Sequence, residues 1–112
     1  MILWHNPRCS KSRAALALLQ EQGVTVEIRK YLDDAPSLDD LKAAQRALGL
    51  SAIAMMRPQE PDFKAMGLSK TDDDATLLRA MAQTPKLIER PIAFTGGKAV
   101  IGRPPERVLD LL

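Results

Sequence analysis

The chain reads as an α/β protein, with a mixed four-stranded sheet flanked by helices and a helical subdomain inserted between the halves of the sheet. Three observations predict this. The N-terminal segment spells strand, helix, strand. The C-terminal segment spells a hairpin around Gly96-Gly97 followed by a helix. The stretch between them is helical in its apolar spacing.

The apolar run Ile2–His5 is the first strand, and Asn6-Pro7 ends it as a turn pair. From Ser10 to about Gln22, Ala14, Leu16, Ala17, Leu18 and Leu19 fall at helical spacings among strong helix formers. Ser10, Lys11 and Ser12 fill an exposed first turn, and Gly23 closes the helix. Val24–Arg29 alternates Val24, Val26 and Ile28 with Thr25, Glu27 and Arg29, the pattern of a half-buried strand. A strand–helix–strand unit of this length makes the two strands parallel, with a right-handed crossover.

Tyr31–Ser37 is a connection. Ser37, with Asp40 three residues on, begins a helix that carries Leu38, Leu41, Ala44 and Leu48 on one face and ends at Gly49. A short helix at Ser51–Met56 stops at Arg57-Pro58. Pro61–Gly67 makes one or two helical turns. Thr71 caps a further helix, with Asp72, Asp73 and Asp74 in its first turn and Leu77, Leu78, Met81 and Ala82 on its buried side. Pro85 ends it. Ile92–Thr95 and Lys98–Ile101 flank Gly96-Gly97, a two-residue hairpin signature. Pro104–Leu112 is the terminal helix, with Val108, Leu109, Leu111 and Leu112 as its apolar residues. The expectation is one domain over 1–112 with its helical insertion at about 37–84.

At 112 residues, 46% hydrophobic and 27% charged, the composition is that of an ordinary globular domain. A net charge of +2 and scarce aromatics argue against nucleic acid as a partner. No apolar stretch approaches the roughly 20 residues that span a bilayer, so no membrane partner is expected, and no secretory leader is read at the N-terminus. One cysteine makes no internal disulfide, which places the protein in a reducing cytoplasm. The run Asp72–Asp74 lacks alternating ligands around a glycine and is read as capping, so no metal is expected. Gly-Gly-Lys at 96–98 joins two strands and lacks phosphate-loop spacing.

The chemistry gathers at Leu3–Arg13. Cys9 follows a strand and sits at the first turn of a helix, where backbone N–H groups have no intrahelical partner and the macrodipole favours negative charge. Such positions take a thiol pKa down to roughly 3.5–7.5, making the nucleophilic thiolate, and they also attract anions. Arg8, Lys11 and Arg13 add positive charge around it. A free cysteine is usually a small buried hydrophobe. Pro7, Arg8, Ser10 and Lys11 are not core residues, so the reactive reading stands ahead. His5, at a strand end, is equally a packed histidine or an auxiliary to Cys9.

Arg57, Arg90 and Arg103 each precede a proline at an element boundary. Proline holds the preceding residue extended, so each guanidinium fork starts from a stiff backbone. Solvated surface arginines and a shared oxyanion site are equally compatible with the spacing. The expected sheet tilts the balance: Arg90 opens the strand after the helical block and Arg103 follows the last strand.

At these residues the sequence resembles the glutaredoxin-dependent arsenate reductase family, of thioredoxin-like fold. The matching pieces are His5-Asn6-Pro7-x-Cys9-x-x-Ser12-Arg13, Lys30-Tyr31-Leu32, Arg57, Gly67-Leu68, Arg90-Pro91-Ile92 and Arg103-Pro104 with Val108-Leu109-Asp110. The resemblance implies that Cys9 attacks arsenate and forms a thiolate adduct, with Arg57, Arg90 and Arg103 holding the oxyanion. Glutathione, a co-substrate and not a bound cofactor, then attacks the adduct. Glutaredoxin resolves the mixed disulfide and arsenite is released. His5, Ser12 and Arg13 would support the thiolate, and Pro91 would be the cis-proline beside the active cysteine. The residues agree on one point: a lone cysteine requires an outside thiol. A monomer is expected. A monothiol oxidoreductase acting on glutathione mixed disulfides is the alternative, and an Spx-like regulator of RNA polymerase is a weaker one, because Ser12 stands where those proteins carry a second cysteine.

Overall fold

Four short strands pair in the order β2-β1-β3-β4: β1 (Ile2–Trp4), β2 (Glu27–Arg29), β3 (Ile92–Thr95) and β4 (Lys98–Ile101). β1 runs parallel to β2 and antiparallel to β3, and β3 and β4 form the hairpin. The computed structural model describes residues 1–112. The chain divides into two compact units, Met1–Asp34 with Arg90–Leu112, and Ala35–Glu89.

In the first unit, α1 (Ser10–Glu21) crosses between the parallel strands. Its end is a Schellman motif: the Gly23 amide bonds the Gln20 carbonyl (2.9 Å) and the Val24 amide bonds the Leu19 carbonyl (3.1 Å). Leu3, Ala15, Leu19, Ala93 and Val108 form a fully buried cluster between one sheet face, α1 and the C-terminal segment. Burying each leucine contributes about 2–3 kcal/mol. On the other face Trp4 packs against Phe94 with ring centroids 4.8 Å apart, and the Arg29 guanidinium lies 5.8 Å from the Trp4 ring. The hairpin turn uses two positive φ angles, 55° at Gly96 and 79° at Gly97, which only glycine adopts without strain.

Two expectations change here. β2 is shorter than the alternation of Val24–Arg29 suggested. Val24 and Val26 still pack on the core, but Ile28 is 43% exposed, because β2 is an edge strand without a neighbour on one side. The terminal helix is a 3₁₀ helix, Pro105–Leu111. Two successive prolines enter it, and i→i+3 bonds close it: Arg107 amide to Pro104 carbonyl (3.0 Å) and Leu112 amide to Leu109 carbonyl (3.1 Å).

The second unit is helical. α2 (Leu38–Leu48) begins with a complete Ser37/Asp40 capping box and ends at Gly49. A 3₁₀ turn (Ala52–Met55), α3 (Pro61–Ala65), α4 (Asp74–Gln83) and a second 3₁₀ turn (Pro85–Leu87) follow. Leu41, Met55, Leu77, Met81, Leu87 and Ile88 are fully buried. The cap of α4 is Asp73, not Thr71: Asp73 Oδ1 accepts the Thr76 amide at 2.8 Å. Thr71 is already engaged in a turn with the Ser69 hydroxyl. The three aspartates have separate partners. Asp72 accepts the Ser69 amide, and Asp74 accepts Gln45 Nε2 (2.7 Å) and the Ala52 amide (3.2 Å), tying α4 to α2 and to the first 3₁₀ turn.

Gly102 is a position the sequence did not flag. A Cβ there would lie 2.9 Å from both Pro91 Cγ and Val108 Cγ1, a rigid ring and a stiff β-branched side chain. Gly102→Ala is expected to cost about 1–3 kcal/mol by overpacking, read as a lower urea midpoint at unchanged m-value.

Candidate active site

The register of the sheet assembles the site. β1 pairs with β3 by matching Trp4 with Ile92, and β3 pairs with β4 by matching Ile92 with Ile101. The end of β1, the start of β3 and the end of β4 therefore share one edge of the sheet. Three segments leave the sheet there: His5–Cys9, Arg90-Pro91 and Gly102-Arg103. Both Arg90-Pro91 and Arg103-Pro104 are cis peptides. The Gly102 amide bonds the Pro91 carbonyl (2.9 Å), and Arg103 Nη1 donates to the Arg90 carbonyl (3.3 Å). Arg90, Pro91 and Arg103 are thus held as one group.

Cys9 is the residue before α1, extended at φ −94° and ψ 122°, and half-buried. Its own amide bonds the Asn6 carbonyl (3.0 Å), and its carbonyl accepts the Arg13 amide (3.0 Å). Burial of the sulfur raises the thiol pKa. The Ser12 and Lys11 backbone amides and the Arg90 guanidinium, by charge and by hydrogen bond, outweigh this, and the thiol falls below its ordinary value. The two amides face the sulfur without closing a strict side-chain cap bond. The guanidinium that acts on the thiol belongs to Arg90, eighty-one residues further along the chain. The sequence neighbours Arg8, Lys11 and Arg13 were expected to supply this field. Of these, only Lys11 contributes, and it does so through its backbone amide.

Ser12 corrects the expected exposed first turn: it is fully buried. Its hydroxyl lies 2.6 Å from His5 Nδ1 and accepts the Asn6 amide at 3.0 Å. His5 is itself buried. That burial, then the charges of Lys30 and Arg13, lower its pKa and so favour the neutral imidazole. His5 is therefore a packed, hydrogen-bonded residue, and with Ser12 it clamps the loop whose amides face the sulfur. Arg13 is exposed and donates from Nη1 to the Pro7 carbonyl (2.9 Å), fastening the same loop from outside. Arg57 belongs to the second unit. Its amide bonds the Leu87 carbonyl (2.8 Å), Nη1 pairs with Glu60 Oε2 at 3.3 Å, and Nε is buried without a hydrogen-bond partner.

A depressed thiol pKa has a direct readout. Alkylation of Cys9 by iodoacetamide follows the thiolate, so its rate rises with pH through the folded-state pKa and levels off above it. The midpoint is expected below the roughly 8.5 of a free cysteine. A midpoint at or above that value contradicts the electrostatics described here.

The ArsC family model matches residues 4–111. An arsenate reductase of Neisseria meningitidis is 51% identical over 112 residues, spanning 98% of this chain and 96% of that protein. The arsenate reductase from Vibrio cholerae superposes with a TM-score of 0.95 at 48% identity, covering 99% of this chain and 96% of that one. A putative arsenate reductase from Yersinia pestis gives 0.90 at 50% identity, with 97% of each chain covered. The mixed four-stranded sheet with its helices is the thioredoxin-like architecture of these structures. A match running almost from end to end, at about half identity and with one fold, means that the chain belongs to the ArsC family.

Proposed function

We propose that the protein reduces arsenate to arsenite at Cys9, with glutathione and glutaredoxin supplying the electrons. One observation carries the reading: the Cys9 sulfur faces two helix amides and the Arg90 guanidinium, an arrangement that favours a thiolate and welcomes an oxyanion beside it. Family membership supplies the substrate class, because the relatives just described are named arsenate reductases.

The Cys9 thiolate attacks arsenic, an S–As bond forms, and an arsenate oxygen leaves as water after taking up protons. Arg90 and Arg103 balance charge on the remaining oxygens. Arg57 is given the same task on the residue match alone. A glutathione thiolate then attacks the Cys9 sulfur. The S–As bond breaks with its electron pair going to arsenic, which leaves as arsenite, and Cys9 is left in a disulfide with glutathione. A glutaredoxin thiol takes over the glutathione and frees the Cys9 thiolate. Two sulfurs are oxidised as one arsenic gains two electrons. The chain's single cysteine supports the need for an outside thiol and a reducing cytoplasm as its place of action.

The test is arsenite formation from arsenate, glutathione, glutaredoxin and NADPH. With glutaredoxin withheld, intact-mass spectrometry is expected to find one glutathione on Cys9. No arsenite above a protein-free control overturns the reading. Reduction of glutathione mixed disulfides in that situation identifies a general monothiol oxidoreductase instead.

A further inference from the structure

Arg57 and Glu60 are the first and last residues of one turn. The Glu60 amide bonds the Arg57 carbonyl (3.1 Å), and Pro58 takes the second position, where its fixed φ suits a turn. Both ends of the turn are held. Before it, Met56 bridges to Ile88 in antiparallel fashion, the Arg57 amide bonds the Leu87 carbonyl (2.8 Å), and the Glu89 amide bonds the Met55 carbonyl (2.7 Å). After it, Glu60 leads into α3, where the Phe63 amide bonds its carbonyl (2.9 Å). The two side chains therefore start from fixed backbones.

Glu60 stands at the N-cap of α3, yet its carboxylate makes no capping bond. It turns instead to Arg57, with Oε2 3.3 Å from Nη1. The two side chains are only 21% and 19% exposed, so this is not the loose surface contact that contributes little. A guanidinium is a planar fork with distinct edges, and Nε shares one of them with Nη2. Glu60 holds the Nη1 corner. Nε, on the other edge, is buried and donates to nothing. A buried N–H without an acceptor costs stability, and native structures keep few of them. Here the fold keeps one on an arginine whose opposite corner is fastened by a carboxylate. An acceptor from outside the chain accounts for both facts. A tetrahedral oxyanion offers two oxygens to the Nε–Nη2 edge at once.

We propose that Glu60 is a positioning residue, which fixes the roll of the Arg57 guanidinium so that its Nε–Nη2 edge is presented to the substrate oxyanion. Glu60 itself does not touch the substrate. The proposal rests on the reading that Arg57 is one of the arginines holding arsenate, and it adds what orients that arginine. Without the carboxylate the fork turns more freely, and that freedom is lost again each time an anion binds.

Inorganic phosphate, a tetrahedral oxyanion that Cys9 does not reduce, is the probe. Its protection of Cys9 from iodoacetamide gives an affinity without turnover. Glu60→Ala is expected to weaken that protection, and to raise the KM for arsenate, roughly three- to tenfold. Glu60→Gln keeps an acceptor oxygen at the same reach and is expected to stay within about twofold of wild type. In an Arg57→Ala background, Glu60→Ala is expected to add nothing, because the fork it aims is gone. The alkylation midpoint without phosphate is expected to hold in both Glu60 variants, since neither Arg57 nor Glu60 is among the groups that act on the sulfur.

Tighter phosphate binding in both Glu60 variants makes the carboxylate a competitor for Arg57 and overturns the proposal. An equal loss in the Arg57→Ala background makes Glu60 a structural residue and overturns it too. If phosphate protection responds as described and no arsenite is ever formed, the positioning stands and the arsenate reading falls. If arsenite forms and the Glu60→Ala variant matches the wild type in both measurements, the reverse holds.

Discussion

Cys9→Ser is expected to abolish arsenite formation, by a factor of about 10⁴ or more, as loss of a covalent nucleophile does elsewhere. The chain has no second cysteine to take over. A serine hydroxyl at the same place stays protonated at neutral pH, because two amides and one guanidinium cannot bring an alcohol into the range where a thiol ionises. The fold has little stake in the sulfur. Cys9 contributes its backbone, through the bonds to Asn6 and Arg13, and the serine backbone keeps both. Stability is therefore expected within about 1 kcal/mol of wild type by urea unfolding. Arsenite production by the serine variant at a wild-type rate removes Cys9 from the mechanism.

Arg90→Ala is expected to lower kcat/KM for arsenate about 10²–10³-fold, the usual cost of one preorganised charge-stabilising group. Arg90 has two tasks, and they separate experimentally. The first is the field on the sulfur, so the alanine variant is expected to move the alkylation midpoint of Cys9 upward, towards that of a free thiol. The second is to hold the oxyanion, which appears as a higher KM for arsenate at a pH where the thiolate is fully formed. Arg90→Lys keeps a charge and loses the planar fork, so it is expected to retain more of the low midpoint than of the arsenate affinity. The linkage sign follows from the direction of the shift. The folded-state pKa of Cys9 is depressed, so its ionisation adds stability that is fully present above the unfolded pKa of about 8.5 and is lost as pH falls through the folded value. The part of the Arg90→Ala destabilisation that comes from the thiolate is thus largest in mild alkali. A destabilisation independent of pH assigns Arg90 a packing role alone.

Local signals were easy to read where neighbours in sequence decide the outcome. The capping box at Ser37 and Asp40, the Gly23 helix end and the Gly96-Gly97 turn each satisfy backbone groups within a few residues, and each formed where its motif stood. The cap of α4 shows the limit of such reading. Thr71 and Asp73 are both competent caps, and the choice fell to Asp73 because Ser69 engages Thr71 first. Ser12 was misread for a related reason. Its polarity suggested solvent, but its burial is tolerated because its hydroxyl is bonded by both His5 and the Asn6 amide, a pairing visible only once the loop is folded.

By itself the sequence determined the order of strands and helices, the placement of a lone cysteine at a helix N-terminus, and the three arginines stiffened by proline, since all of these depend on short-range backbone chemistry. Only the tertiary structure decided which cation acts on that cysteine. Arg8 and Lys11 are its neighbours along the chain, yet the antiparallel register of Trp4 with Ile92 brings Arg90 to the same edge of the sheet, and its guanidinium reaches the sulfur. Charge acts through distance in space, and distance in space is set by strand pairing.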